Sequence, residues 1–316
     1  MPTLEQARVV TALAALVAVS ATAQDAIEVL PAQGQVYLIA GPGGNTTVQV
    51  GDEAVVVVDT QTAAVSGQVL EAIARLSTKP IRHVILTSGD ADHTGGNAAI
   101  AQAGTYVRLI DSFDPRGSDT HASIMAHVNV LEAMSVPAEG RPEIPSEAWP
   151  TDTYYTNDWA VFVNGEAIQM LHVPAAHTDG DTMVFFRRSD VVSTGDIFNT
   201  DRYPEFDSER GGGIAGIIEG LNLVLDITIP GENQEGGTVV IPGHGRLADE
   251  TDVANYRDMV TIVRDRVQAL VDEGKTLTET QAGRPSRDYD GIYAAGSPGW
   301  SGDEFVAAIY RDLKAQ

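Results

Sequence analysis

Residues 82–97 read RHVILTSGDADHTGGN, and this stretch decides how the rest of the chain is read. The first six residues are apolar and β-branched enough for a buried strand. The remainder crowds Asp90, Asp92 and His93 among glycines. Three further segments follow the same plan. AIQMLHV (167–173) runs into PAAHTDGD (174–181), which carries His177. DVVST (190–194) ends at Gly195-Asp196, and TVVI (238–241) ends at Pro242-Gly243-His244-Gly245. One Asp or His beside a glycine is ordinary turn chemistry. Four such loops, each charged at the carboxyl end of a strand, mark the edge where α/β folds gather functional groups.

Outward from these loops the chain alternates strands and amphipathic helices. Residues 35–40 (QVYLIA), 45–50 (NTTVQV) and 54–59 (AVVVVD) predict strands separated by glycine turns. Val65, Val69, Ile73 and Leu76 recur at helical spacing before a stop at Lys79-Pro80. Later strands are expected at 105–110, 159–163, 166–173, 182–187, 190–195 and 238–242. Ile124, Val128, Leu131 and Met134 predict a helix capped near Asp119 or Thr120 and closed before Pro137. Val253, Tyr256, Val260, Val263, Val267 and Leu270 predict another, with Gly274 as its C-cap. A last helix is expected over 303–313, and the Pro-rich stretch 137–150 reads as a surface loop. Hairpin-like strands mixed with strand–helix alternation point to an α/β fold of two sheets covered by helices.

Composition narrows the function. With 316 residues, 43% of them hydrophobic, the chain can bury a sizeable core. Forty-four acidic against 20 basic residues give a net charge of −24, without a Lys/Arg cluster to track phosphates. Nucleic acid and anionic membrane surfaces are therefore not expected partners. There is no cysteine, so any metal must be held by His, Asp or Glu. Residues 9–19 (VVTALAALVAV) follow Arg8 and precede Ala21-Thr22-Ala23, a small-x-small pattern before Gln24. The stretch is too short for a relaxed membrane span and suits a signal peptide over 1–23. The expectation is export to the periplasm or beyond, with no stable membrane insertion once the leader is removed.

The ordered motifs DxDHTGGN, HTDGD, TGD and PGHG resemble the metallo-β-lactamase superfamily, and GGNTTVQVGDEAVVVVDT (43–60) resembles that family's opening strands. The resemblance covers about residues 33–250. It implies a four-layer αββα sandwich of two mixed β-sheets, with residues 24–316 as one domain ending in helices. It also implies one or two divalent metal ions at the sheet edges. His177 would then serve a first ion, Asp196 would bridge, and Asp92, His93 and His244 would complete a second site. The family's usual first motif is HxHxDH, whereas this chain has SxDxDH. Ser88 stands at the first His position and Asp90 at the second. A neutral hydroxyl is a poor zinc ligand, while Asp90 adds a hard oxygen donor. Zn²⁺ is the leading expectation. Three Asp and three His give a net −3 that makes Mn²⁺ or Fe²⁺ the alternatives.

Asp59, at the end of AVVVVD, is expected to orient a ligand histidine. His83 and His172 fall within strands, and the spacing of His121 and His127 keeps them off one helix face. Residues 112–122, 137–158 and 200–215 are expected over the cleft, with Tyr154, Tyr155, Tyr203 and Phe206 as candidate lining. The implied activity is metal-dependent hydrolysis of a small acyl substrate: a lactone, thioester or β-lactam. Asp92 would orient the water and shuttle its proton. The altered first motif supports an alternative, a metal-binding, catalytically weak small-ligand-binding protein of the same fold.

Overall fold

The computed structural model describes residues 27–105, 121–136, 143–296 and 299–315. Strands β1 (Glu28–Gln33), β2 (Val36–Gly41), β3 (Gly44–Val50), β4 (Val55–Val58), β5 (Ile81–Ile85), β6 (Ser123–His127) and β7 (Asp152–Tyr154) form one sheet in that spatial order. Strands β8 (Asp158–Val163), β9 (Glu166–His172), β10 (Thr182–Phe186), β11 (Val191–Ser193) and β12 (Val239–Ile241) form a second, ordered β12-β11-β10-β9-β8. Both sheets are mixed. The first begins antiparallel and becomes parallel from β4 onward, and the second is antiparallel except for the β11–β12 pair.

The apolar pattern explains the layering. Leu38, Val56, Val58 and Ile85 from the first sheet meet Ile168, Met170, Val184, Phe186 and Ile241 from the second, all fully buried. The outer face of the first sheet is covered by α1 (Ser66–Leu76), α3 (Asn97–Gln102) and α4 (Val128–Ser135), with the single turn α2 (Ala91–Thr94) between the first two in the chain. On that face Val69, Ile73, Ile100 and Val130 pack on Val55, Val57 and Val84. The second sheet is covered by α5 (Ile214–Ile227), α6 (Glu250–Asp272) and α9 (Gly302–Ala315), with the short α7 (Leu277–Ala282) and α8 (Asp290–Tyr293) between the last two. Strand β4, in the middle of the first sheet, is thus screened from water on both faces, which is why it reads as unbroken valine. The result is the expected four-layer αββα sandwich. No helix among the described residues is long and apolar enough to cross a membrane.

The register puts the charged loops on one edge. Parallel pairing of Val58 with Ile85, and of Ser193 with Ile241, brings the ends of β4, β5, β11 and β12 to the same side. Antiparallel pairing of His172 with Thr182 turns the His177 loop back at that side too. The two sheets are tied there by Thr182 N–H donating to the Thr87 carbonyl and Asn45 N–H donating to the Gly243 carbonyl, at 2.8 and 2.9 Å.

One sequence expectation is corrected. The helix read from Ile124 is instead strand β6 followed by α4, with His127 at the N-cap, accepting from Asn129 N–H at 3.4 Å. Strand SIMAH is buried throughout, so it shows no alternation of buried and exposed residues and runs without a break into the helical spacing of α4. Strands β1 and β7 and helix α5 were not anticipated. The signal-peptide expectation over 1–23 and the strand over 106–110 lie outside the described residues, as do the Asp119 and Thr120 caps.

Candidate metal centre

Six side chains singled out in the sequence converge at the shared edge. Asp92, His93, Asp196 and His244 form one group able to hold a metal ion, and Asp90, His177 and Asp196 form a second. Asp196 belongs to both.

The first group is built by local chemistry in each loop. Asp90 caps the single turn α2, whose His93 and Thr94 N–H groups donate to the Asp90 carbonyl. That turn sends the adjacent Asp92 and His93 in different directions: His93 is fully buried, whereas the Asp92 side chain is 38% exposed to the cleft. Asp59 sits at φ +59°, a backbone state that costs a non-glycine residue of order 1 kcal/mol or more. Held there, its carboxylate accepts from Thr87 N–H at 2.8 Å, Thr87 Oγ1 at 2.6 Å and His93 Nδ1 at 2.7 Å. This is the orienting role expected for Asp59, and it leaves His93 Nε2 aimed at the cluster. Gly195, at φ +52°, precedes Asp196 because a Cβ there would lie 2.4 Å from Thr87 Oγ1. The PGHG loop is pinned by Asn45 Nδ2, which donates to the Pro242 and Gly245 carbonyls, and by Asn199 Oδ1, which accepts from His244 N–H at 2.8 Å.

His93 Nε2 lies 3.2 Å from Asp196 Oδ2. His244 Nε2 lies 3.4 Å from Asp196 Oδ1 and 3.3 Å from Asp92 Oδ2. Donors on a tetrahedron with bonds of about 2.0–2.1 Å stand about 3.3 Å apart, so the spacing suits a small divalent cation. His93 Nε2 and Asp196 Oδ1 are also buried without a hydrogen-bond partner. Buried polar atoms are rarely left so, because desolvation then goes uncompensated. The electrostatics agree. Burial opposes charge on His93, yet Asp196 and Asp59 outweigh it and hold its pKa well above the usual value. Burial likewise opposes charge on Asp196, but His93 and His244 hold it ionised far below the usual carboxylate range. A field that draws a proton onto a buried imidazole also draws a cation in its place. The residues fit a metal ion.

The second group is arranged differently. Asp90 Oδ2 is hydrogen-bonded directly to His177 Nε2, while Asp90 Oδ1 meets Arg210 Nη2 at 2.7 Å. Burial would raise the Asp90 pKa, but His177 and Arg210 prevail and bring it to about 2. Burial would lower that of His177, but Asp90 prevails and lifts it to about 10. His177 Nδ1 donates to the Glu205 carbonyl at 2.9 Å. Ser88 joins neither group; its buried Oγ accepts from Asp90 N–H at 3.3 Å.

Both groups open on a cleft of about 370 Å³. The 200–215 loop lines it through Arg202, Glu205, Phe206, Asp207 and Arg210, as expected of that segment, and Trp300 lines it as well. The Trp300 indole N–H is buried without an acceptor among the described residues. The other aromatic candidates do not line it: Tyr154 and Tyr203 are buried in the cores, and Tyr155 is exposed. The remaining histidines lie elsewhere. His83 Nδ1 meets Ser123 Oγ at 2.7 Å, His127 stacks on His172 at 3.7 Å, and His121 is exposed. Sequence reasoning missed Arg210, Asn199 and Trp300. None belongs to a motif, and only the folded loops bring them to the cleft.

Comparison with known proteins agrees with this fold. A sec-alkylsulfatase, Pisa1 from Pseudomonas, superposes with a TM-score of 0.63 at 17% identity, covering 88% of this chain and 48% of its own. The chain thus spans about half the length of that enzyme. A metallo-beta-lactamase from Pontibacter korlensis superposes with a TM-score of 0.53 at 12% identity, covering 75% and 99%. The DIM-1 metallo-beta-lactamase gives 0.52 at 16% identity, covering 74% and 97%. No curated protein matches in sequence. At these identities the neighbours show the fold alone. The metallo-beta-lactamase superfamily model matches residues 39–244, from β2 to the histidine of the PGHG loop, and the chain belongs to that superfamily.

Proposed function

We propose that the chain is a metal-dependent hydrolase of a small acyl substrate, such as a lactone, thioester or β-lactam, with Asp92, His93, Asp196 and His244 as ligands. The observation that carries this reading is the pair of orphaned buried atoms, His93 Nε2 and Asp196 Oδ1, inside a cluster of suitable donor spacing. A divalent ion held there supplies Lewis acidity and lowers the pKa of water to about 7. The chain's own residues do the rest. Asp59 fixes the His93 ring, and Asn199 and Asn45 fix the loop of His244. Asp92 is the most exposed member of the cluster, against 12% for the Asp196 side chain, so it faces the attacking water. Burial opposes its charge, but the hydrogen bond to His244 keeps its pKa low, so Asp92 is ionised at neutral pH and able to orient water and relay its proton. Zn²⁺ suits the paired imidazoles, and the carboxylates admit Mn²⁺ or Fe²⁺. The reading includes export, supported by the apolar stretch at 9–19 and Ala21-Thr22-Ala23.

The test is hydrolysis of chromogenic lactone, thioester, cephalosporin and sulfate-ester substrates by protein loaded with Zn²⁺, Mn²⁺ or Fe²⁺. Acyl hydrolysis that disappears in Asp92→Ala and His244→Ala supports the proposal. Turnover of the sulfate ester alone would replace the acyl substrate class. Metal uptake without turnover of any substrate would leave the small-ligand-binding alternative.

A further inference from the structure

Arg210 is not a loose surface arginine. Its side chain is 18% exposed, and it meets Asp90 through Nη2 and Asp207 through Nε, each at 2.7 Å. Its backbone is fixed as firmly. Asp207 caps the short turn Ser208–Arg210 by accepting from Glu209 and Arg210 N–H, and Gly211 closes that turn at φ +78°. Three backbone hydrogen bonds tie this turn to the His177 loop: Asp207 N–H to the His177 carbonyl, Asp179 N–H to the Arg210 carbonyl, and Gly213 N–H to the Ala176 carbonyl. The two loops lie so close that a Cβ on Gly212 would sit 2.1 Å from the His177 carbonyl oxygen. The guanidinium is therefore delivered to Asp90 by the same strut that delivers His177.

We propose that Arg210 is the built-in cation of the Asp90–His177 half of the centre, so that the chain holds one metal ion, at Asp92, His93, Asp196 and His244, and not two. This rests on the metal-site reading above. Both oxygens of Asp90 are already occupied, one by His177 Nε2 and one by Arg210, whereas the other group leaves donors without partners. A second divalent ion beside a fixed guanidinium would have to overcome like-charge repulsion and displace the Asp90–His177 hydrogen bond. Arginine at this point also places a permanent hydrogen-bond donor on the wall of the cleft beside the single ion, where developing negative charge on a substrate oxygen would be met.

The test is the count of ions per chain, by titration with Zn²⁺ alone and elemental analysis after dialysis, on folded protein checked by circular dichroism. The wild type is expected to hold one equivalent and His244→Ala to hold none at the same free Zn²⁺. Arg210→Ala, which frees Asp90 Oδ1, is expected to take up a second equivalent, while Arg210→Lys, which keeps the charge, stays at one. Two equivalents in the wild type, or one retained by His244→Ala, overturns the proposal and leaves metal-dependent hydrolysis standing. No uptake by the wild type overturns both. If Arg210→Ala does not fold, the wild-type and His244→Ala counts decide alone.

Discussion

Two groups of side chains share Asp196, and each offers imidazole and carboxylate. On one side His93, His244 and Asp92 crowd Asp196, and two of the atoms there, His93 Nε2 and Asp196 Oδ1, are buried without a hydrogen-bond partner. On the other, Asp90 and His177 satisfy one another, and Arg210 supplies the remaining positive charge. Residue type alone would treat the two alike. The difference is in compensation: a metal site is a place where negative charge and lone pairs have been gathered and left without a partner.

The largest expected effect should separate the two sides. His244→Ala or Asp196→Asn is expected to abolish metal uptake and lower kcat/KM by at least about 10³-fold, since the ion's Lewis acidity contributes several kcal/mol. His177→Ala should leave one ion bound, which elemental analysis reads directly. Retention of the ion in His244→Ala and its loss in His177→Ala would reverse the comparison.

A core substitution provides the control that affects both sides together. Leu38, fully buried between the sheets, should cost about 2–5 kcal/mol on change to Ala, measured by denaturant unfolding. The metal count should be unchanged. Asp59→Asn is expected to weaken metal affinity by about 10–100-fold, because His93 loses the carboxylate that orients it. The same change should leave the Asp90–Arg210 pair intact.

The last effect leaves both sides of the centre alone and concerns pH. Burial, with Arg82 adding to it, lowers the His83 pKa from 6.5 to about 4. The unfolded chain therefore takes up the proton first as pH falls. Stability should be lost between pH 6.5 and about 4, by up to about 3 kcal/mol, and should not change further from this group below that window. His83→Gln should flatten the slope of unfolding free energy against pH without altering the metal count.

Much of the fold was legible because short apolar strands with charged carboxyl ends are a pattern in the sequence itself. The four loops gave all six clustered residues, and a carboxylate ending AVVVVD gave Asp59. What escaped has physical reasons. Helix α5 carries Ile214, Ile217, Leu221 and Val224 at helical spacing, a signal that was present. Gly216 and Gly220 blurred it, and both are there for close approach: a Cβ on Gly216 would lie 1.7 Å from the Ala175 carbonyl oxygen. Strand β1 is an edge strand with a proline and a bulge, and β7 has three residues, too few to show alternation. Arg210 was invisible because its importance comes from three backbone bonds to a loop thirty-odd residues earlier, which no local pattern encodes.

Anomalous diffraction from crystals grown with Zn²⁺ tests the central claim most directly. The account predicts one strong peak per chain, about 2.0–2.2 Å from His93 Nε2, His244 Nε2 and the carboxylates of Asp92 and Asp196. A peak between Asp90 and His177, or no peak at the cluster at saturating metal, would contradict it.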